Sequence, residues 1–112
     1  MAEITWEDFD KVDVRVGEVI DVEPFPEARK PAMKLEIDFG DSIGTRRTSA
    51  QITTHYQPED LVGRQVVAVI NFPPKRIAGF KSEVLVLGVP QDDGEVVLLS
   101  PDHIVPLGGR MF

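Results

Sequence analysis

His55 and His103 are the only histidines in the chain, and cysteine is absent. Neither histidine has a second histidine or a cysteine at ligand spacing, so zinc–thiolate sites, iron–sulfur clusters, cysteine nucleophiles and disulfides are excluded. A serine–histidine–aspartate arrangement can be drawn through Ser49, His55 and Asp60, but any chain of this size permits such a drawing, and no nucleophile-elbow sequence accompanies it. The acidic groups Glu7, Asp8 and Asp10, and Asp92, Asp93 and Glu95, read as a solvated terminus and a polar turn rather than as metal ligands. Gly108-Gly109-Arg110 lacks the spacing of a phosphate-cradling loop. These residues predict a protein that is not an enzyme and uses no cofactor and no metal.

The segment with the strongest chemical character is Asn71-Phe72-Pro73-Pro74-Lys75-Arg76-Ile77-Ala78-Gly79-Phe80-Lys81-Ser82. It combines two aromatics, three bases and the hydrogen-bonding side chains of Asn71 and Ser82, and it contains no acid. Aromatic faces that stack on bases, beside cations that meet phosphates, are the ingredients of single-stranded nucleic-acid recognition on small barrels. The same residues also allow a plainer reading, a rigid Pro-Pro loop whose Phe72 and Phe80 serve as core or lid.

Charge is distributed unevenly around that segment. The whole chain carries a formal net charge of −7, which argues against indiscriminate binding to a polyanion. Between Ser42 and Ser82, however, six bases (Arg46, Arg47, Arg64, Lys75, Arg76 and Lys81) face only two acids, Glu59 and Asp60, a local +4. The flanks, with six bases against seventeen acids, carry −11. An acidic shell around a basic middle suits a protein that presents one local positive face, although ordinary solvated charges produce similar excesses.

The elements that must position these residues are strands. Val12, Val14 and Val16 alternate with polar residues, and Val19 and Val22 continue the segment past Gly17, which is expected to mark a bulge or bend. Met33, Leu35, Ile37 and Phe39 alternate with Lys34, Glu36 and Asp38 up to Gly40. Between them Glu23 to Pro31 holds three prolines and must be a loop. Asp41-Ser42-Ile43-Gly44 supplies a turn into a polar strand over Thr45 to Ile52, with Arg46 and Arg47 on opposite faces. Gln65 to Phe72 reads as a strand buried on both faces. Val84 to Val89 and Glu95 to Leu99 form a hairpin around Asp93-Gly94. Helical turns are expected only at Thr5-Trp6-Glu7-Asp8, which has capping-box spacing, and at His55 to Leu61, interrupted by Pro58.

Five or six short strands in 112 residues predict an all-β domain, a small five-stranded barrel with short helical turns and N- and C-terminal extensions. A small sandwich is the alternative. One domain, residues 1–112, accounts for the length. No apolar run approaches the roughly 20 residues of a membrane helix, and the start of the chain is unlike a signal peptide, so no membrane insertion and a cytoplasmic location are expected. The tail after Leu99 retains Ile104, Val105, Leu107, Met111 and Phe112, for which one small barrel has little room. A two-fold partner surface joined by Trp6 and Phe9 would bury them, with the extensions 1–11 and 100–112 in the dimer interface. The alternative is a tail folded back over its own barrel.

Phe9, Val12-Asp13-Val14-Arg15-Val16-Gly17, Ile37-Asp38-Phe39-Gly40, Leu61-Val62-Gly63-Arg64, the run from Asn71 to Gly79 and Ser82-Glu83 resemble the tRNA-binding domain appended to methionyl-tRNA synthetases. The resemblance spans nearly the whole chain. Phe25-Pro26-Glu27-Ala28-Arg29, Ser49-Ala50-Gln51-Ile52-Thr53 and Ile77 to Gly88 are similar to the branch of CsaA-type, export-related chaperones. It implies an OB-fold barrel, a homodimer, binding of tRNA or of unfolded preproteins, and a link to the secretion ATPase SecA. Position by position it implies that Asn71, Lys75, Arg76 and Ser82 belong to an RNA-contact loop, with Lys81 and Arg15 as companions and Ser49 and Gln51 on the strand beside it. For a peptide ligand, Phe72, Ile77 and Phe80 would supply apolar contact, and Arg46, Arg47 and Lys75 would attract carboxylates or bind backbone carbonyls. Where many tRNA-binding members read Ser-Glu-Gly-Met, this chain reads Ser82-Glu83-Val84-Leu85, and it is more acidic than they tend to be. Both departures weaken the expectation of tRNA affinity. The leading reading is thus a non-enzymatic export chaperone that binds unfolded preproteins, and the second a structure-specific tRNA-binding module.

Overall fold

The computed structural model describes residues 1–53 and 55–112. Its elements in chain order are α1 (Trp6–Asp10), β1 (Val14–Pro24), β2 (Met33–Asp38), β3 (Thr45–Ala50), α2 (Pro58–Leu61), β4 (Gln65–Val69), β5 (Lys75–Ile77), β6 (Phe80–Ser82), β7 (Leu85–Val86), β8 (Gly88–Pro90) and β9 (Val96–Leu98). Five strands in the order β3-β2-β1-β4-β7 form one antiparallel sheet that curls into a nearly closed barrel. β1 is the hub: its first half pairs with β4, from Val14 opposite Val69 to Glu18 opposite Gln65, and its second half with β2. The protein is the small β-barrel that the strand pattern predicts, with the five-stranded OB-fold that the resemblance implies. The hairpins β5–β6 and β8–β9 stand outside the barrel sheet.

The barrel is filled by residues that the alternation marks as inward. Val19, Leu35, Ile37, Phe39, Leu61 and Val66 are all buried in one cluster, each contributing about 1.5–3 kcal/mol by leaving water. The bulge in β1 lies three residues later than expected. Val19 is opposite Ile37 but Asp21 is opposite Glu36, so the extra residue is Ile20. Gly17 has a different reason: a Cβ there would stand 2.5 Å from Ile37 Cγ2 and 2.9 Å from the Phe39 ring. Glycine is needed because β1 crosses the core too closely for any side chain. Val14 is buried outside that cluster, so the valines before Gly17 do not share the barrel face of Val19.

Three further expectations are corrected. Pro24 is the last residue of β1, opposite Met33, so the loop begins at Phe25 rather than at Glu23. Pro58 starts α2 instead of interrupting it, because the first helical position needs no N–H. Thr5 caps α1: its Oγ1 accepts from Asp8 N–H and the Asp8 carboxylate accepts from Thr5 N–H, 3.1 Å each. The turn at Asp93-Gly94 forms as expected, with Gly94 at φ 85°, but the segment expected as one strand, Val84 to Val89, divides into β7, paired with β4 in the barrel, and β8, paired with β9 in the hairpin.

The C-terminal tail folds back along the first half of β1. Val16 N–H donates to Gly109 C=O, Gly108 N–H to Val16 C=O, and Met111 N–H to Val14 C=O. Gln65 fixes the tail's start at Val105, and Arg15 fixes Gly108. Val105 and Leu107 are half-buried there, whereas Trp6 (80 %), Ile104 (82 %), Met111 and Phe112 remain exposed.

Candidate functional site

The basic segment is a hairpin, not a loop. β5 and β6 pair with Lys75 opposite Ser82, Arg76 opposite Lys81 and Ile77 opposite Phe80. The turn residues Ala78 and Gly79 both have positive φ, 48° and 80°, as the tightest hairpin turns require. Strand alternation puts Lys75, Ile77, Phe80 and Ser82 on one face and Arg76 with Lys81 on the other.

The first face is fastened to the body. Phe80, 7 % exposed, joins Phe25 and Ala32 in a small second core, its ring 5.4 Å from that of Phe25 and edge-on to it. Lys34 Nζ lies 4.7 Å from the Phe25 ring centre and 5.2 Å from that of Phe80, and the Arg47 guanidinium lies 4.8 Å from the Phe80 ring. Each such contact at an exposed site is worth about 0.5–1 kcal/mol. Phe80 is therefore occupied by its own chain, while Phe72 is 55 % exposed and free to meet a ligand.

Below the hairpin, β3 and β7 are the two edges of the curled sheet, and the seam between them is only partly stitched. Glu83 N–H donates to Arg47 C=O at 2.8 Å, and Arg47 N–H to Glu83 Oε1 at 3.1 Å. Thr48 Oγ1 donates to Val84 C=O at 2.7 Å and lies 3.0 Å from Ser82 Oγ, which accepts from Ser49 N–H. Beyond these bonds the seam opens into a cleft of about 510 Å³. Of the residues singled out from the sequence, Ser49, Gln51, Phe72, Lys75, Ile77 and Ser82 line it. Ile52, Val84, Leu85, Val86, Val96 and Leu98 supply most of the rest of its apolar wall and were not among them, and Glu83 is its one carboxylate. The apolar runs Val84-Leu85-Val86 and Val96-Val97-Leu98 mark these as strand residues. Only the topology shows that they face one opening.

The other named residues sit elsewhere. Asn71 spends its side chain on the N-terminal segment, accepting from Asp13 N–H at 3.0 Å and donating to Lys11 C=O at 2.6 Å. Arg15 bonds Asp13 Oδ1 at 2.6 Å and Gly108 C=O at 3.0 Å, and Arg110 also reaches Asp13. Arg46 donates to Ile43 C=O in the β2–β3 turn. Arg76 and Lys81 are exposed, directly opposite one another, and among the described residues no carboxylate lies within 4.0 Å of Lys75, Arg76 or Lys81. Like charges placed opposite each other on a strand pair destabilise it, so this face presents two cations to solvent at some cost to the hairpin.

Ile4, Thr5, Trp6, Phe9 and Phe112 surround a second, apolar hollow of about 580 Å³, with the Trp6 and Phe9 rings 6.3 Å apart. Among the described residues no group of three His, Asp or Glu side chains is placed to hold a metal ion. No helix among them is long and apolar enough to cross a membrane.

A small OB-fold barrel with an apolar cleft at its seam and a cationic hairpin above it defines a binding module. The family model described as "Putative tRNA binding domain" matches residues 14–110, and the chain belongs to this family. Its sequence is 36 % identical over 111 residues to the methionine–tRNA ligase of Methanocaldococcus jannaschii, covering 99 % of this chain but only 17 % of that protein. The solved chaperone CsaA of Bacillus anthracis is 56 % identical, with a TM-score of 0.93 over 99 % of this chain and 100 % of that one. The CsaA chaperone protein of Picrophilus torridus is 52 % identical, with a TM-score of 0.91 over 98 % and 100 %.

Proposed function

We propose that this protein is a non-enzymatic holding chaperone of the CsaA type, which binds unfolded preproteins in the cytoplasm and keeps them competent for export, with SecA as the onward partner. The observation that carries the reading is the seam cleft, an apolar opening bounded by the exposed Phe72 and Leu85 and rimmed by Lys75. A shallow apolar groove with a cationic rim accepts many sequences, which a holder of varied preproteins needs. Full-length likeness to two structures described as CsaA chaperones supports it. The protein acts as a homodimer in this reading, with Trp6, Phe9, Ile104, Met111 and Phe112 packed against a second copy and Val105 and Leu107 holding the tail in place. Gel filtration showing a monomer at micromolar concentration would remove the dimer.

A second reading, structure-specific tRNA binding, is favoured by the cations Arg76 and Lys81 on the outer hairpin face, which have no carboxylate partner among the described residues, and by membership of the tRNA-binding domain family. Fluorescence anisotropy with bulk tRNA and with an unfolded preprotein segment, each across a salt series, separates the two. Binding through phosphates weakens steeply with added salt, and apolar capture does not. Salt-tolerant capture of the polypeptide, retained by the Arg76→Ala/Lys81→Ala variant on the outer hairpin face, is the outcome expected for the chaperone. Tight, salt-sensitive tRNA binding alone, lost in that variant, would replace it with the RNA module.

A further inference from the structure

The main-chain groups along the seam indicate how a polypeptide is held there, an inference that rests on the polypeptide-holding reading above. In an antiparallel ladder, opposed residues alternate between pairs that exchange both main-chain bonds and pairs whose N–H and C=O groups point away from each other. The bond from Leu87 N–H to Val67 C=O sets the phase of β4 and β7. Val69 and Leu85 then exchange bonds, and Val86, opposite Ala68, turns its N–H and C=O outward from the sheet edge.

On the opposite lip, the bond from Phe39 N–H to Gly44 C=O sets the phase of β2 and β3, so Arg47 and Ser49 direct their main-chain groups outward. Those of Arg47 are taken by Glu83, and the Ser49 N–H by Ser82. Gln51, next in the alternation, makes no main-chain hydrogen bond to any described residue, and neither does the outward side of Val86. The seam is thus stitched at one end and leaves unpaired backbone on both lips of the cleft. Open backbone at a sheet edge is a template for an added strand.

We propose that an extended polypeptide adds to this barrel as a β-strand at the outer edge of β7, exchanging main-chain hydrogen bonds with Val86. Its alternate side chains lie against Phe72, Leu85 and Leu98 in the cleft. Charge selects the occupant further. Lys75 lines the cleft without a carboxylate partner among the described residues, and the one carboxylate of the lining, Glu83, already accepts from Arg47 N–H. The segment held therefore carries an acidic side chain beside Lys75. Recognition through the backbone leaves the bound sequence largely free, as strand addition does elsewhere.

The test uses the full chain and a fluorescent peptide alternating valine with threonine and carrying one glutamate, together with two versions N-methylated at alternate amides. Methylation of one alternate set is expected to weaken binding about tenfold for each amide that faces β7, while the other set leaves affinity unchanged. Val86→Pro, which removes an N–H that the β4–β7 ladder does not use, is expected to weaken the unmethylated peptide by a similar factor. Equal affinity for all three peptides overturns strand addition and leaves polypeptide capture by side chains standing. Absence of binding by the parent peptide, with capture of unfolded preprotein absent too, overturns both. If Val86→Pro fails to fold, the methylation pattern alone decides.

Discussion

Gln65 and Val105, forty residues apart, bond reciprocally: Gln65 Nε2 donates to Val105 C=O at 2.7 Å, and Val105 N–H donates to Gln65 Oε1 at 3.1 Å. The buried side-chain amide of β4 thereby does for the tail what a neighbouring strand would do. It sets where the chain leaves the barrel, and so where Ile104, Met111 and Phe112 emerge.

Replacing Gln65 by leucine keeps the apolar bulk but leaves two Val105 groups unpaired. A buried unsatisfied group costs about 1–3 kcal/mol, so Gln65→Leu is expected to lower the urea midpoint with an unchanged slope. Denaturation at fixed protein concentration measures it. An unchanged midpoint would mean that the tail is held by its contacts with β1 alone.

Gly17→Ala tests the close crossing of β1. The new methyl would meet Ile37 and Phe39, both among the most buried side chains of the barrel and enclosed on every side. Overpacking of this kind destabilises by about 1–3 kcal/mol. Thermal unfolding of the variant checks this, and a melting temperature equal to wild type would show that the core yields there.

Sequence and structure part company at a definite point, the bulge of β1. Strand alternation in Met33 to Phe39 and the Asp93-Gly94 turn are local signals, and both elements form where they predict. The Gly17 signal is ambiguous: the same residue type serves a bulge or a close approach, and only the register shows that Ile20 is the extra residue. The candidate site divides the same way. Lys75, Ile77 and Ser82 reach the cleft because they share one hairpin face. Asn71 and Arg15 carry the donors and acceptors an RNA would use, yet backbone groups of Lys11 and Asp13 take those of Asn71, and the Asp13 carboxylate and Gly108 C=O take those of Arg15; a hydrogen-bonding side chain does not announce its partner. Ile52, Val86 and Leu98 stand far apart in sequence and meet only through barrel closure.

Phe80, in the hairpin, and Phe72, just before it, separate folding from binding within one short segment. Phe80→Ala removes the ring that carries the Phe25 contact and the Lys34 and Arg47 cations, and a loss of about 3 kcal/mol is expected at the low end for a buried phenylalanine. Phe72→Ala, at an exposed ring, is expected to leave stability within about 0.5 kcal/mol while weakening polypeptide capture. Hydrogen exchange should show residues 75–82 losing protection in Phe80→Ala with the barrel amides unchanged. Uniform loss across the barrel would mean that the hairpin and barrel unfold as one unit.

Arg76 and Lys81 form the opposite kind of pair, one whose removal should help the fold and harm a function. They face each other across β5 and β6 with no carboxylate beside them among the described residues, so each repels the other. Arg76→Ala/Lys81→Ala is expected to raise stability by about 0.2–1 kcal/mol. If these cations meet tRNA phosphates, the same variant weakens tRNA binding and makes the slope of log affinity against log salt shallower by about 0.7–0.9 for each phosphate lost. Capture of an unfolded polypeptide in the seam, which depends on Phe72 and the edge of β7, should stay unchanged. A salt slope for tRNA equal to wild type would place any RNA contact away from the hairpin's outer face.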